Sequence, residues 1–262
     1  ASARGDRSAA LAGLLDHYRR RFPRHEAPPA PDAPTMEDAE AATRRTFRFL
    51  GYPYRSYPDP MDWEWDPCDD IEWVACMYRF AWALPLAQAY EATREERYAQ
   101  AFVELATDWI RAHPLERHER AHRTLTHWKG FAWLDIQTGI RASNLCRVVP
   151  TLVHAASFTP EFLGILLASL YDHEVKSELI PMAIYHNKAL MELAGLAEIA
   201  AAFPELRDAR RWLGVCAERL YDKLQGQVTT DGVQREWSFG YHCHVLGDAV
   251  RVLSILEEAG LP

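Results

Sequence analysis

Four kinds of side chain in this sequence could do chemistry, and most have an ordinary structural alternative. The carboxylates Asp69, Asp70, Glu72, Asp231 and Glu236 could supply the general acid and second carboxylate that glycoside hydrolysis needs in one cleft. Asp69-Asp70 serves equally as a solvated helix start favoured by the helix dipole, and Glu236 as the buried partner of an arginine. His186, His242 and His244 are a conceivable three-imidazole zinc set, although only the last two are close in sequence. Aromatic rings stand in polar company at Asp62-Trp63-Glu64-Trp65-Asp66, where a ring could stack on a sugar or bury its area in a core. Asn187 precedes Ala189, Leu190 and Leu193 at helical spacing, which suits an N-cap. Tyr241 stands at a helix start after a turn, where packing is its ordinary role.

These side chains must be held by helices. Apolar residues recur at helical spacing, as in Ile71, Val74, Ala75, Tyr78, Ala81, Leu84 and again in Tyr98, Ala101, Phe102, Leu105, Trp109, so the pattern is all-α. It predicts helices at about 8–21, 37–50, 71–93, 95–112, 131–156, 160–177, 185–202, 207–227 and 240–258. Pro23 to Pro34 is too proline-rich for a helix, so residues 1–34 read as an N-terminal helix with an exposed connection, and 35–262 as the main domain. Further breaks fall at Pro114, Thr159-Pro160 and Phe203-Pro204. Between the last two helices, β-branched residues flank Asp231-Gly232, which predicts a tight β-hairpin near 228–237. Long helices paired antiparallel without a short repeat period suggest an incomplete (α/α) toroid rather than a four-helix bundle.

Composition narrows the partners. With 262 residues, 48% hydrophobic and 25% charged, the chain can bury one large core. Its formal charge of −8 opposes general nucleic-acid binding, which needs a basic face to displace counterions from phosphates. A local basic groove can still serve an anionic chain. No apolar run approaches the roughly 20 residues that cross a bilayer, so no membrane partner is expected. The five cysteines are odd in number and lack zinc-type spacing.

Four stretches, read in order, resemble the N-terminal domain of the heparinase II/III superfamily of polysaccharide lyases, and most closely its heparinase III branch. They are Trp63-Glu64-Trp65-Asp66-Pro67 with Glu72-Trp73 and Tyr78-Arg79-Phe80-Ala81-Trp82; Ser157-Phe158-Thr159-Pro160-Glu161-Phe162-Leu163; His186-Asn187-Lys188-Ala189-Leu190-Met191-Glu192; and Asp231-Gly232-Val233-Gln234-Arg235-Glu236-Trp237-Ser238 ending in Tyr241-His242. The resemblance implies a toroid supplying an Asn and a Tyr to the active site, which fall on Asn187 and Tyr241. It also implies a C-terminal β-sandwich domain of the same protein beyond these 262 residues, an anionic polysaccharide substrate, and a periplasmic or secreted location whose signal peptide lies outside this stretch. In the family a His often follows the Asn; here His186 precedes it and Lys188 follows.

The implied reaction is β-elimination at a uronate. Asn187 would donate hydrogen bonds to the substrate carboxylate and stabilise the enolate-like charge. Tyr241 would accept the C5 proton and then protonate the departing glycosidic oxygen. No metal or organic cofactor is demanded. Arg141, His186, Lys188, Arg235 and His242 would supply positive field or substrate contacts beside Glu236, with Trp63, Trp65, Trp128 and Trp133 as candidate sugar platforms. A hydrolase on the same fold and a non-catalytic carbohydrate-binding module remain as the competing readings.

Overall fold

The helical periodicity becomes ten α-helices among the described residues, which in this computed structural model are 7–115, 131–133, 136–179 and 185–261. They are α1 (Arg7–Arg21), α2 (Ala33–Ala42), α3 (Ile71–Tyr78), α4 (Ala83–Thr93), α5 (Glu96–Ala112), α6 (Ile136–Leu152), α7 (Pro160–Leu179), α8 (Asn187–Ala202), α9 (Ala209–Gln225) and α10 (Phe239–Glu258). Two short strands, β1 (Thr46–Phe47) and β2 (Arg55–Ser56), pair antiparallel with Thr46 opposite Ser56. This ladder has no counterpart in the sequence expectation, which put a hairpin only near 228–237. There the chain does turn, with an antiparallel bridge between Val228 and Gln234 and Gly232 at φ 87°, a value that glycine adopts without steric cost.

Three boundaries differ from the periodicity. The expected helix over 71–93 is two, because α3 ends in a Schellman motif. The Ala81 N–H donates to the Cys76 carbonyl at 3.1 Å, the Phe80 N–H donates to the Met77 carbonyl at 3.2 Å, and Phe80 takes φ 58°. That position usually belongs to glycine. Phe80 accepts the left-handed backbone, a cost of about 1–2 kcal/mol, because its ring is buried against Trp82 at 4.7 Å and Trp109 at 5.2 Å. Burying such a ring contributes about 1.5–3 kcal/mol. The expected helix over 37–50 stops at Ala42 and gives way to β1. The proline-rich connection, in turn, ends two residues early. Asp32 caps α2, accepting the Thr35 N–H at 2.9 Å, and Pro34 stands in the first turn, where a missing N–H costs nothing.

The chain divides into two compact units, Ala1–Pro114 with Arg147–Ser169, and Leu115–Cys146 with Leu170–Pro262. In the first, Trp73, Trp82, Trp109, Phe102 and Phe158 form an aromatic interior. Helix α1 and the connection after it are tied into that unit. Arg19 donates to the carbonyls of Val153 and Ala155 at 2.9 and 3.2 Å, and Arg24 to that of His154 at 2.7 Å.

In the second unit α8 is the central element, with Leu190, Leu193, Leu196 and Ala197 packed among Trp212 and Leu220 of α9 and Val245, Ala249 and Val252 of α10. Helix α6 crosses α8 at glycine on glycine. A Cβ on Gly139 would stand 2.5 Å from the Met191 carbonyl oxygen, and one on Gly195 would stand 2.5 Å from the Gly139 carbonyl oxygen. Glu192 of α8 fastens this crossing, accepting the Gly139 N–H at 2.9 Å and the Ser177 hydroxyl at 2.6 Å.

Also within this unit, Glu174 of α7 is fully buried, and neither of its carboxyl oxygens has a hydrogen-bond partner among the described residues. Burial pushes its pKa to about 9, helped by the charges of Asp208 and Glu178 and opposed by Arg211. The group is therefore protonated at neutral pH.

Two stability outcomes follow from this unit. Gly195→Ala, which gains helix propensity but forces the α6 backbone away, is expected to destabilise by about 1–3 kcal/mol, read as a lowered thermal midpoint. Glu174 has a folded pKa above its unfolded value, so its contribution is full below pH 4.5 and is lost as pH rises toward about 9. Glu174→Gln removes that loss and should raise stability by about 3 kcal/mol at pH 7, with a larger gain at pH 8 than at pH 5 in thermal melts.

Candidate active site

The site is built where α8 starts. Asn187 is the first residue of the helix and is 3% exposed, while the cap position belongs to His186, at φ −151° and ψ 160°, whose side chain makes no cap hydrogen bond. A buried helix start leaves donors that need acceptors. A carboxylate from outside the helix supplies them: Glu236 accepts the Asn187 backbone N–H at 3.3 Å through Oε1 and the Asn187 Nδ2 amide at 2.9 Å through Oε2. Asn187 is thus not the cap expected from its spacing, and Glu236 partners an asparagine rather than an arginine.

The hairpin before α10 delivers Glu236. Gln234 is buried beneath it, donating from Nε2 to Glu236 Oε1 at 3.0 Å and accepting the Glu236 N–H through Oε1 at 2.8 Å. The backbone is held in turn by Arg235, whose N–H donates to the Gln227 carbonyl at 2.8 Å. Trp237 follows at φ 54° with its ring exposed, and Ser238 caps α10 by accepting the Tyr241 N–H at 3.4 Å. One short run therefore carries the carboxylate that holds Asn187 and, five residues on, the phenol of Tyr241, which is 44% exposed.

The acceptor chemistry also decides which way the Asn187 amide points. A carboxylate only accepts, so the amide nitrogen must face Glu236. Its Oδ1 then faces His186 Nδ1 at 3.2 Å, and His186 Nδ1 lies 3.8 Å from Glu236 Oε1. Lys188 is half-buried in the first turn of α8, Arg235 is exposed, and His242 is half-buried in the first turn of α10, where its N–H donates to the Ser238 carbonyl at 2.9 Å. Among the described residues, no three His, Cys, Asp or Glu side chains converge as a metal site would require.

The remaining expected contact residues have the following surroundings. Arg141 is fully buried, donating from Nε to His173 Nε2 at 2.7 Å with its guanidinium 4.9 Å from the centroid of the Trp133 ring. Trp133 is itself buried edge-on to His173. In the first unit, Trp63 is buried and donates its indole N–H to Asp108 at 2.7 Å, whereas Trp65 keeps 37% of its surface exposed beside Tyr57. Trp128 lies outside the described residues.

A cluster at the residue pair before Asn187 carries no signal in the sequence. Tyr185, two residues before Asn187, donates its hydroxyl to Asp222 at 3.0 Å and lies with its ring 3.9 Å from Lys223 Nζ. Gly226 is open enough for that ring, since a Cβ there would stand 1.9 Å from it. Lys223 reads as a surface lysine of an amphipathic helix, yet it is buried.

Comparison with known proteins matches residues 1–262 to the family described as Heparinase II/III N-terminus. A heparin-sulfate lyase of Bacteroides stercoris is 27% identical over 276 residues, covering 98% of this chain and 41% of the relative. One from Pedobacter heparinus is 29% identical over 254 residues, covering 92% and 37%. The crystal structure of heparan sulfate lyase HepC from Pedobacter heparinus superimposes with a TM-score of 0.80 at 26% identity, covering 97% of this chain and 41% of that one. The chain thus spans about two-fifths of the length of the curated relatives it matches.

Proposed function

This chain belongs to the heparinase II/III N-terminus family, and from that membership we propose that the protein is a polysaccharide lyase cleaving a uronate-containing polysaccharide of the heparan sulfate kind by β-elimination. The observation that carries the reading is the Asn187 carboxamide, fixed by Glu236 at the start of α8 on the same run of chain that leads to Tyr241. Two lyase relatives of the same family support the substrate class.

The uronate C5–H is weakly acidic because deprotonation would add charge next to a carboxylate. An amide N–H at that carboxylate offsets the developing charge, and it acts most strongly when already oriented, since no reorganisation is needed during reaction. Asn187 Nδ2 carries two hydrogens: one goes to Glu236, and the second is the one offered to substrate. The positive end of the α8 dipole adds to the same field. Tyr241, as the phenolate, takes the C5 proton; the C4–O bond breaks as the C4–C5 double bond forms, and the Tyr241 hydroxyl returns the proton to the departing oxygen. His186, Lys188, Arg235 and His242 contribute field and contacts to the anionic chain. The reaction is completed in an (α/α) toroid closed by a C-terminal β-sandwich domain of the longer, periplasmic or secreted protein, with no cofactor.

The test is incubation of the full-length protein with a panel of uronate polysaccharides, following ultraviolet absorbance of the unsaturated product. Turnover on a heparan-type chain is expected. Asn187→Ala should lower kcat by on the order of 10²–10³-fold, and Tyr241→Phe by on the order of 10²–10⁴-fold, with the thermal midpoint of Tyr241→Phe near wild type and that of Asn187→Ala lowered by the loss of its bond to Glu236. Products without the unsaturated chromophore would instead indicate hydrolysis, and binding without any turnover would indicate a carbohydrate-binding module.

A further inference from the structure

We infer that Glu236 is a positioning residue, acting through Asn187 to lock the carboxamide in the single orientation that presents an N–H to the substrate carboxylate. This rests on the lyase reading above. A carboxylate beside an amide that must hold a second carboxylate is at first sight misplaced, because like charges repel. Its contacts explain it. Glu236 receives three donors, the Asn187 backbone N–H, Asn187 Nδ2 and Gln234 Nε2, and its own N–H is taken by Gln234 Oε1. Gln234 is buried, so the carboxylate is braced by a residue that is itself held in place. The only flip of Asn187 that satisfies this set turns Nδ2 to Glu236 and Oδ1 to His186 Nδ1.

A glutamine at position 236 cannot do the same. It offers one acceptor oxygen to three donors; with that oxygen on the Asn187 N–H and Gln234 Nε2, where two donors are satisfied, its NH₂ meets the Asn187 amide. Asn187 then relieves the contact by flipping, which removes its N–H from the substrate side. The same substitution also deletes a negative charge next to an anionic substrate, so Coulomb repulsion in the ground state falls. The two effects separate in kinetics: orientation acts on kcat and charge acts on KM. A merely structural defect would also lower apparent kcat by reducing the folded fraction, but it would lower the thermal midpoint toward the assay temperature at the same time.

The experiment compares steady-state kinetics of wild type, Glu236→Gln and Asn187→Ala in the full-length protein on a heparan-type polysaccharide, with thermal midpoints recorded. For Glu236→Gln the expected result is a kcat at least tenfold lower with KM unchanged or lower. A kcat within twofold of wild type, or a KM that rises, overturns the inference. Should Glu236→Gln fail to fold, Glu236→Asp carries the test: it keeps the charge but withdraws the acceptors by one methylene, so kcat should fall at least tenfold with KM unchanged. If Asn187→Ala is impaired and Glu236→Gln is not, the positioning role alone fails. If Asn187→Ala turns over like wild type, the lyase assignment of Asn187 fails and takes this inference with it.

Discussion

Helix α8 starts in the interior of its unit, and a helix cannot start there unless its first amides find acceptors. Leaving a buried donor unsatisfied costs about 1–3 kcal/mol, which is a large fraction of a domain's net stability. Glu236 meets that demand. Because the acceptor comes from a hairpin 49 residues away in sequence, the start of α8, the hairpin after α9 and the entry to α10 are placed by one contact set. The chemistry proposed for the site uses the hydrogen that this capping arrangement leaves over.

Around that contact the second unit is organised for close approach. Gly139 and Gly195 let α6 and α8 touch backbone to backbone, and Glu192 bonds across the crossing to Gly139 and Ser177. Glu192 and Glu236 are thus used as internal acceptors and not as surface solvation. Glu174, by contrast, is a buried acid with no hydrogen-bond partner among the described residues, which stays neutral because burial disfavours its charge.

The position of aromatic rings separates core from candidate contact surface in a way that residue type cannot. Trp63 and Trp133 are buried, with an indole hydrogen bond in one case and a cation–π stack in the other. Trp65 and Trp237 present surface to solvent. Trp237 does so from a left-handed backbone, between the residue that holds Asn187 and the residue that caps α10, so its exposure is a consequence of how the hairpin re-enters a helix.

Helical spacing by itself determined the all-α class, most helix positions to within a few residues, and the turn at Asp231-Gly232, because these depend on local periodicity and local backbone preference. The ordered motifs carried the family resemblance and singled out Asn187 and Tyr241. Tertiary structure decided the rest. It broke 71–93 at Phe80, where burial of a ring outweighs a strained φ that no glycine advertises, and it made His186 rather than Asn187 the cap. It also buried Arg141 and Lys223 and gave Glu236 its partner. Each of these depends on which side chain arrives from a distant segment to fill a volume or satisfy a donor, and spacing along the chain holds no record of that arrival.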